Sequence, residues 1–302
     1  MEGGNRVRII LFLLLCNLVC LAHPKPHRMS LREVGRGIDS IASRTNGRIA
    51  VAFKDLTTGK EYYRNANESF HAASTIKTPV MIEVFSQARR GMFSLDDSLE
   101  VVNSFASLIG RRPFSLDPST DSDDSLYREI GKKLPIRKLV FDMITVSSNL
   151  ATDLLVQKVR PSNIRRTMRS LGAGGIRVLR GVEDTKAYLA GKNNTVTAKS
   201  LSTMFERLER KKVVSKKASE EMLDILTQQK FNDMIPARLP KTIKVAHKTG
   251  SSTGIVHDSG IVFLPDGRKY ILVILSKNLR DSKDGINAGA GISKMIYDYE
   301  VN

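Results

Sequence analysis

Ser74, Thr75, Ile76 and Lys77 form the only S-x-x-K in this 302-residue chain. A serine hydroxyl is a weak nucleophile at neutral pH until a neighbouring base takes its proton. Residues three apart on a helix share a face, which puts the Lys77 amine within reach of the Ser74 hydroxyl. The start of a helix adds free N–H donors and partial positive charge, both favourable to developing negative charge. The pair reads as a nucleophile with its activator.

Two further clusters carry polar chemistry. Ser147-Ser148-Asn149 follows the apolar residues 143–146. Its first serine can pass a proton to a leaving group, and its asparagine can bond a substrate amide or orient Lys77. Lys248-Thr249-Gly250 follows the strand-like residues 243–246 and precedes a Ser/Thr/Gly turn. There the lysine raises the local potential, the threonine can bond a carboxylate, and the glycine lets substrate approach the strand edge.

A site drawn from three distant segments needs elements that bring them together. Residues 31–41 have helical spacing, residues 49–53 read as a buried strand, and Thr58-Gly59 turns into a strand at 61–63. The helix holding Ser74 and Lys77 runs through Pro79 to Ala88 and ends at Gly91. Residues 105–124 read as a long polar loop, and 134–155 as one helical stretch. Residues 172–194 hold Gly172, Gly174, Gly175, Gly181 and Gly191 and form a loop passing near the site. Thr197 caps a helix over 198–210. Strands are expected at 243–246, 260–264 and 270–275, with a turn at Asp266-Gly267, and a last helix at 286–299. Strands at both ends with helices between predict a two-lobed α/β (α+β) fold. An antiparallel sheet lobe flanked by helices carries an inserted all-helical lobe, with the active site between them.

The remaining composition narrows the function. Residues 1–22 begin with Arg6 and Arg8, continue as an apolar run and end in small residues, the pattern of a secretory signal. The run is too short for a membrane span of about 20 residues. Bulky Val19 disfavours a lipid-anchor cleavage site at Cys20. Cys16 and Cys20 are the only cysteines, and both lie in this segment, which excludes a disulfide framework and thiolate chemistry in the exported chain. Residues 23–45 read as a basic leader and first helix, and 46–302 as the catalytic domain. The net charge of +17 is spread over scattered pairs such as Arg89-Arg90 and Lys216-Lys217. With no basic arm and no tryptophan, nucleic-acid binding is excluded, and an anionic cell envelope remains as a partner for the basic surface.

Taken in order, these clusters resemble the signature of the serine β-lactamase and penicillin-binding-protein superfamily, S-x-x-K, then S-D-N, then K-T-G. The resemblance is greatest to the class A branch and runs from about residue 49 to the carboxyl end. It implies Ser74 as the acylated nucleophile and Lys77 as its base or proton relay. Ser147 would shuttle a proton to the leaving nitrogen, and Asn149 would contact the substrate side chain. Lys248 and Thr249 would hold its carboxylate, beside Gly250, and the backbone N–H groups of Ser74 and Ser251 would form the oxyanion hole. The branch also carries a loop acid that activates the deacylating water, for which Glu183 is the best match. A solvated loop glutamate, paired with Arg180, is the alternative.

Three positions depart from the pattern. Ser148 stands where aspartate is usual, and Ala187 stands near the place of a water-binding asparagine, although Asn193 and Asn194 follow. Residues 256–259 occupy the region where many class A enzymes place an arginine for the substrate carboxylate. His71 near Ser74 could be a triad base, and His247, His257 and Asp258 could suggest zinc, but the lysine explains the first and no third ligand spacing supports the second. No cofactor is expected. The reading is a secreted or periplasmic, monomeric serine hydrolase that opens a β-lactam or D-alanyl amide. A penicillin-binding D-alanyl-D-alanine peptidase and a non-catalytic envelope-binding protein are the alternatives.

Overall fold

Alternation along the strands sets the architecture. In β1 (Arg48–Asp55), Ile49, Val51 and Phe53 enter one apolar cluster while Ala50 and Ala52 enter another. Successive side chains of a strand point to opposite faces, so both faces of this strand are buried. The same split recurs late in the chain. Tyr270, Leu272 and Ile274 face one cluster, and Ile271, Val273 and Leu275 the other. The computed structural model describes residues 29–302; the signal segment and nearly all of the basic leader lie outside the described residues.

β1 pairs with β2 (Glu61–Arg64) and, across the chain, with β5 (Lys269–Lys277), which pairs with β4 (Ile255–Phe263) and so with β3 (Lys244–Ser252). The five-stranded antiparallel sheet thus has the order β2-β1-β5-β4-β3. One face packs on helices α1 (Leu31–Arg44) and α9 (Ser282–Val301) through Val34, Ile38, Ile292 and Ile296. The other face joins the core of the helical lobe. That lobe holds α2 (Lys77–Arg89), α3 (Ile136–Thr145), α4 (Asn149–Val159), α5 (Pro161–Ser170) and the short α6 (Thr185–Leu189). α7 (Ala198–Glu209) and α8 (Lys216–Thr227) follow and lead back to the sheet. Among the described residues no helix is long and apolar enough to cross a membrane.

The two-lobed mixed fold is the one expected; three local expectations are corrected. Ser74 lies in a 3-10 turn, Ala73–Ile76, and the α-helix begins only at Lys77. The stretch 134–155 is two helices broken at residues 146–148, where Ser148 caps α4 by accepting from Ala151 N. Breaking the helix frees Ser147 to turn toward Lys77. Lys248-Thr249-Gly250 lies inside β3 rather than after a short strand, because pairing with β4 continues to Ser252. α5 and α8 had not been anticipated at all.

Candidate active site

A cavity of about 820 Å³ opens between the lobes, lined by Ser74, Ser147, Asn149, Glu183, Thr249, Gly250 and Ser251 among others. Every anticipated site residue lines it except Lys77 and Lys248. Those two are fully buried directly behind the wall.

The hydrogen bonds of the Lys77 amine go to the Ser147–Asn149 turn. Lys77 Nζ donates to the Ser147 carbonyl at 2.6 Å, to Ser147 Oγ at 3.0 Å and to Asn149 Oδ1 at 2.8 Å. Burial pulls its pKa down to about 8, and the charges of Asp121, Asp153 and Glu183 hold it up against that trend. Lys248 Nζ donates to Ser147 Oγ at 3.1 Å and to the Thr249 carbonyl at 3.1 Å. Burial and the neighbouring Lys77 push its pKa well below the ordinary lysine range.

A hydroxyl has two acceptor lone pairs and one proton. With two lysines donating to Ser147 Oγ, its own proton is left to be given elsewhere. Ser147 Oγ is thus arranged to accept twice and to donate its proton into the cavity.

The opposite wall carries Glu183. Asn149 bridges the two walls, accepting from Lys77 and donating from Nδ2 to Glu183 Oε1 at 2.5 Å. Thr120 Oγ1 approaches Glu183 Oε2 at 3.5 Å. Burial raises the Glu183 pKa, with the Asn149 hydrogen bond opposing the rise. The glutamate is not paired with Arg180, whose guanidinium donates to the Lys192 and Gly181 carbonyls and to Asn193 Oδ1. Neither asparagine after the loop reaches toward the glutamate. Asn194 pins the neck of the loop by accepting from Leu179 N and Arg180 N, and Asn193 is engaged by Arg180. Ala187 is buried, its N–H satisfied by Asp184.

Three non-glycine residues with positive φ line this one cavity: Ala73 at 45°, Ser147 at 59° and Glu183 at 55°. Such conformations cost of order 1–3 kcal/mol each and persist where surrounding contacts impose them. Ala73 is held by its own N–H to His71 Nδ1 and by Ala72 N to the Asn194 carbonyl. The Ser147 turn is tied by Ser148 N to the Asp142 carbonyl and by Lys230 N to the Thr145 carbonyl. Glu183 follows Val182, whose N–H donates to Asp153 Oδ1 at 2.6 Å. Asp153 is almost fully buried under this loop, and desolvation raises its pKa to about 8. A Cβ on Gly181 would come within 2.2 Å of that carboxylate, so only glycine fits there.

Gly250 serves a purpose the sequence did not suggest. Its Cβ would lie 3.0 Å from Ser74 N and 3.1 Å from Thr75 N. The missing side chain makes room for the nucleophile's own backbone, bringing the N–H of Ser74 alongside β3 and Ser251. His71 and His257 also belong to this scaffold. His257 Nε2 donates to the His71 carbonyl at 2.8 Å, while its Nδ1 accepts from Ser276 N at 3.1 Å. Burial holds the pKa of His257 near 4, so it is a neutral tie between β4 and the Ser74 turn. His247 is likewise committed, to Asp258 and Asn232.

Asp121 and Asp153 were missed by sequence reasoning; neither lines the cavity, but the charge of each acts on Lys77 behind its wall. Asp121 lies in the stretch read as a long polar loop, and Asp153 in the middle of a helix, where nothing in the local pattern marks it.

A model described as the beta-lactamase enzyme family matches residues 33–300. A beta-lactamase of Bacteroides uniformis is 27% identical over 294 residues, covering 89% of this chain and 91% of that protein. A beta-lactamase structure from Chitinophaga pinensis superposes with a TM-score of 0.78 at 24% identity, covering 89% of this chain and 100% of that one. A PBP-A variant solved as an acyl-enzyme complex with penicillin G superposes with a TM-score of 0.74 at 22% identity, covering 90% and 98%.

Proposed function

This chain belongs to the beta-lactamase enzyme family, as a serine β-lactamase-like hydrolase, and from that premise we propose that it is exported and opens a β-lactam ring through an acyl-enzyme on Ser74. The carrying observation is the meeting of Lys77 and Lys248 on Ser147 Oγ, behind a cavity that Ser74 and Glu183 line from opposite sides.

In this mechanism Ser74 Oγ attacks the lactam carbonyl as its proton passes to the neutral Lys77 amine, available because burial has lowered its pKa to about 8. The tetrahedral oxyanion faces the N–H groups of Ser74 and Ser251. As it collapses, the C–N bond breaks and the nitrogen takes the Ser147 hydroxyl proton, which Lys77 replaces. Thr249 holds the substrate carboxylate and Lys248 adds positive potential from behind the wall, with no arginine assisting from residues 256–259. Water then attacks the ester, Glu183 takes its proton, and Ser74 leaves with one returned to it.

One observation favours a second reading. Ala187 offers no side-chain hydrogen bond to a water beside Glu183, and Asn149 already occupies Glu183 Oε1. Slow deacylation, as in a D-alanyl-D-alanine peptidase, fits that arrangement. The signal pattern in residues 1–22 supports export to the periplasm or the medium.

Mass spectrometry of the purified protein mixed with a penicillin and followed over time separates the readings. A transient adduct on Ser74 means a β-lactamase, and a lasting one means a peptidase-like enzyme. Ser74→Ala should abolish the adduct while leaving Tm nearly unchanged; an adduct on another serine, or none in the wild type, removes the proposal.

A further inference from the structure

The Ser147-Ser148-Asn149 turn has no carboxylate of its own at its middle position, yet a carboxylate sits on it. Asp121, from the loop between α2 and α3, accepts from Asn149 N with both oxygens at 2.9 Å and from Leu150 N at 3.1 Å. Ser148 Oγ takes the next N–H, that of Ala151. The first N–H groups of a helix have no partner within it, and a carboxylate there is favoured by both hydrogen bonding and the helix field.

The clamp is itself braced. Tyr127 OH donates to Asp121 Oδ2 at 2.9 Å, and buried Leu126 anchors the same short turn in the core. Asp117 folds the loop upstream by accepting from Ser119 N. Thr120, one residue before Asp121, is the residue whose hydroxyl approaches Glu183. A single loop therefore touches both the turn that presents Ser147 and Asn149 and the acid on the opposite wall. The Asp121 charge also favours the protonated form of Lys77 and of Glu183.

We propose that Asp121 is a positioning residue, supplying from a separate segment the carboxylate that an S-D-N signature would place at Ser148, and so aiming Ser147 and Asn149 at Lys77. This rests on the reading of Ser147 and Asn149 as reaction-site residues. A cap that merely stabilised α4 could sit on any turn residue; this one is bonded to Asn149, whose side chain joins Lys77 to Glu183.

The test uses Asp121→Ala, the near-isosteric Asp121→Asn, and Asp121→Ala combined with Ser148→Asp. Acylation by a fluorescent penicillin is timed, and hydrogen exchange is followed at the Asn149 and Leu150 amides. Asp121→Ala is expected to slow acylation by about 10- to 100-fold and to expose both amides, with Asp121→Asn intermediate. Ser148→Asp should recover at least about 10-fold of the acylation rate and restore amide protection. Acylation within about 2-fold of wild type in the folded Asp121→Ala protein overturns the proposal, as does a failure of Ser148→Asp to restore anything. If the wild type itself is not acylated, the functional reading falls. The amide exchange alone then decides: loss and recovery of protection supports the clamp, and unchanged protection overturns it.

Discussion

Lys77 and Lys248 meet at one oxygen: their Nζ atoms stand 3.0 and 3.1 Å from Ser147 Oγ, and neither side chain is exposed. Two ammonium groups so close and so dry disfavour each other's charge. Burial heads the causes that lower both pKa values, and Lys77 adds its repulsion to Lys248. The pair therefore gives up a proton at lower pH than two surface lysines would, which favours a lysine acting as a base nearer to neutral pH.

The pH dependence of acylation follows from Lys77. Below its pKa of about 8 the group is an ammonium and cannot take the Ser74 proton; above it the amine is free. Acylation measured by stopped flow should rise by about 10-fold per pH unit on the acid side and level off near pH 8. A flat profile between pH 6 and 9 removes Lys77 as the base.

Lys248→Ala should lower kcat/KM for a penicillin by about 10²-fold, on the order of 3 kcal/mol. Because Lys248 lies behind the cavity wall and bonds Ser147, part of that loss should appear in kcat and not only in KM. Unaltered kcat/KM in this variant would mean that neither contact matters to turnover.

Glu183→Ala separates acylation from deacylation. The variant should still react with a penicillin but accumulate the Ser74 adduct, with steady-state turnover reduced by at least about 10²-fold. Equal adduct lifetimes in wild type and variant would leave Glu183 a loop residue and make the peptidase reading the better one.

Asp153→Asn should alter stability in a pH-dependent way. The folded-state pKa of about 8 lies above the ordinary aspartate value, so between those limits folding takes up a proton that the unfolded chain has lost. Each pH unit in that window costs the native state on the order of 1.4 kcal/mol. Asparagine keeps the acceptor for Val182 N but has nothing to protonate. The variant should therefore unfold at higher urea than wild type at pH 7, with the gain vanishing toward pH 4. A gain that persists undiminished at pH 4 would contradict the assignment.

Glu300, at the far end of the sheet, has its pKa raised to about 7 by burial but lies on the outer helix layer and takes no part in the cavity. A shifted pKa alone does not mark a candidate site; what distinguishes this cavity is the convergence of two buried lysines on one serine.

Local patterning was enough to read the strands at 49–53 and 270–275, the cap at Thr197 and the end of α2 at Gly91, because period and cap chemistry involve residues at most four apart. The same locality made Ser74-x-x-Lys77, Ser147-x-Asn149 and Lys248-Thr249-Gly250 visible as possible chemistry. Local patterning could not tell that Lys77 hydrogen-bonds the Ser147 turn, that Gly250 is small to admit Ser74's backbone, or that the helix breaks at residues 146–148. Those outcomes depend on contacts between segments about 70 or more residues apart. Asp121 and Asp153 show the limit most clearly. An aspartate in a polar loop and one in a helix look like solvated charges until packing removes the water around them, and only the tertiary structure decides which carboxylates lose it.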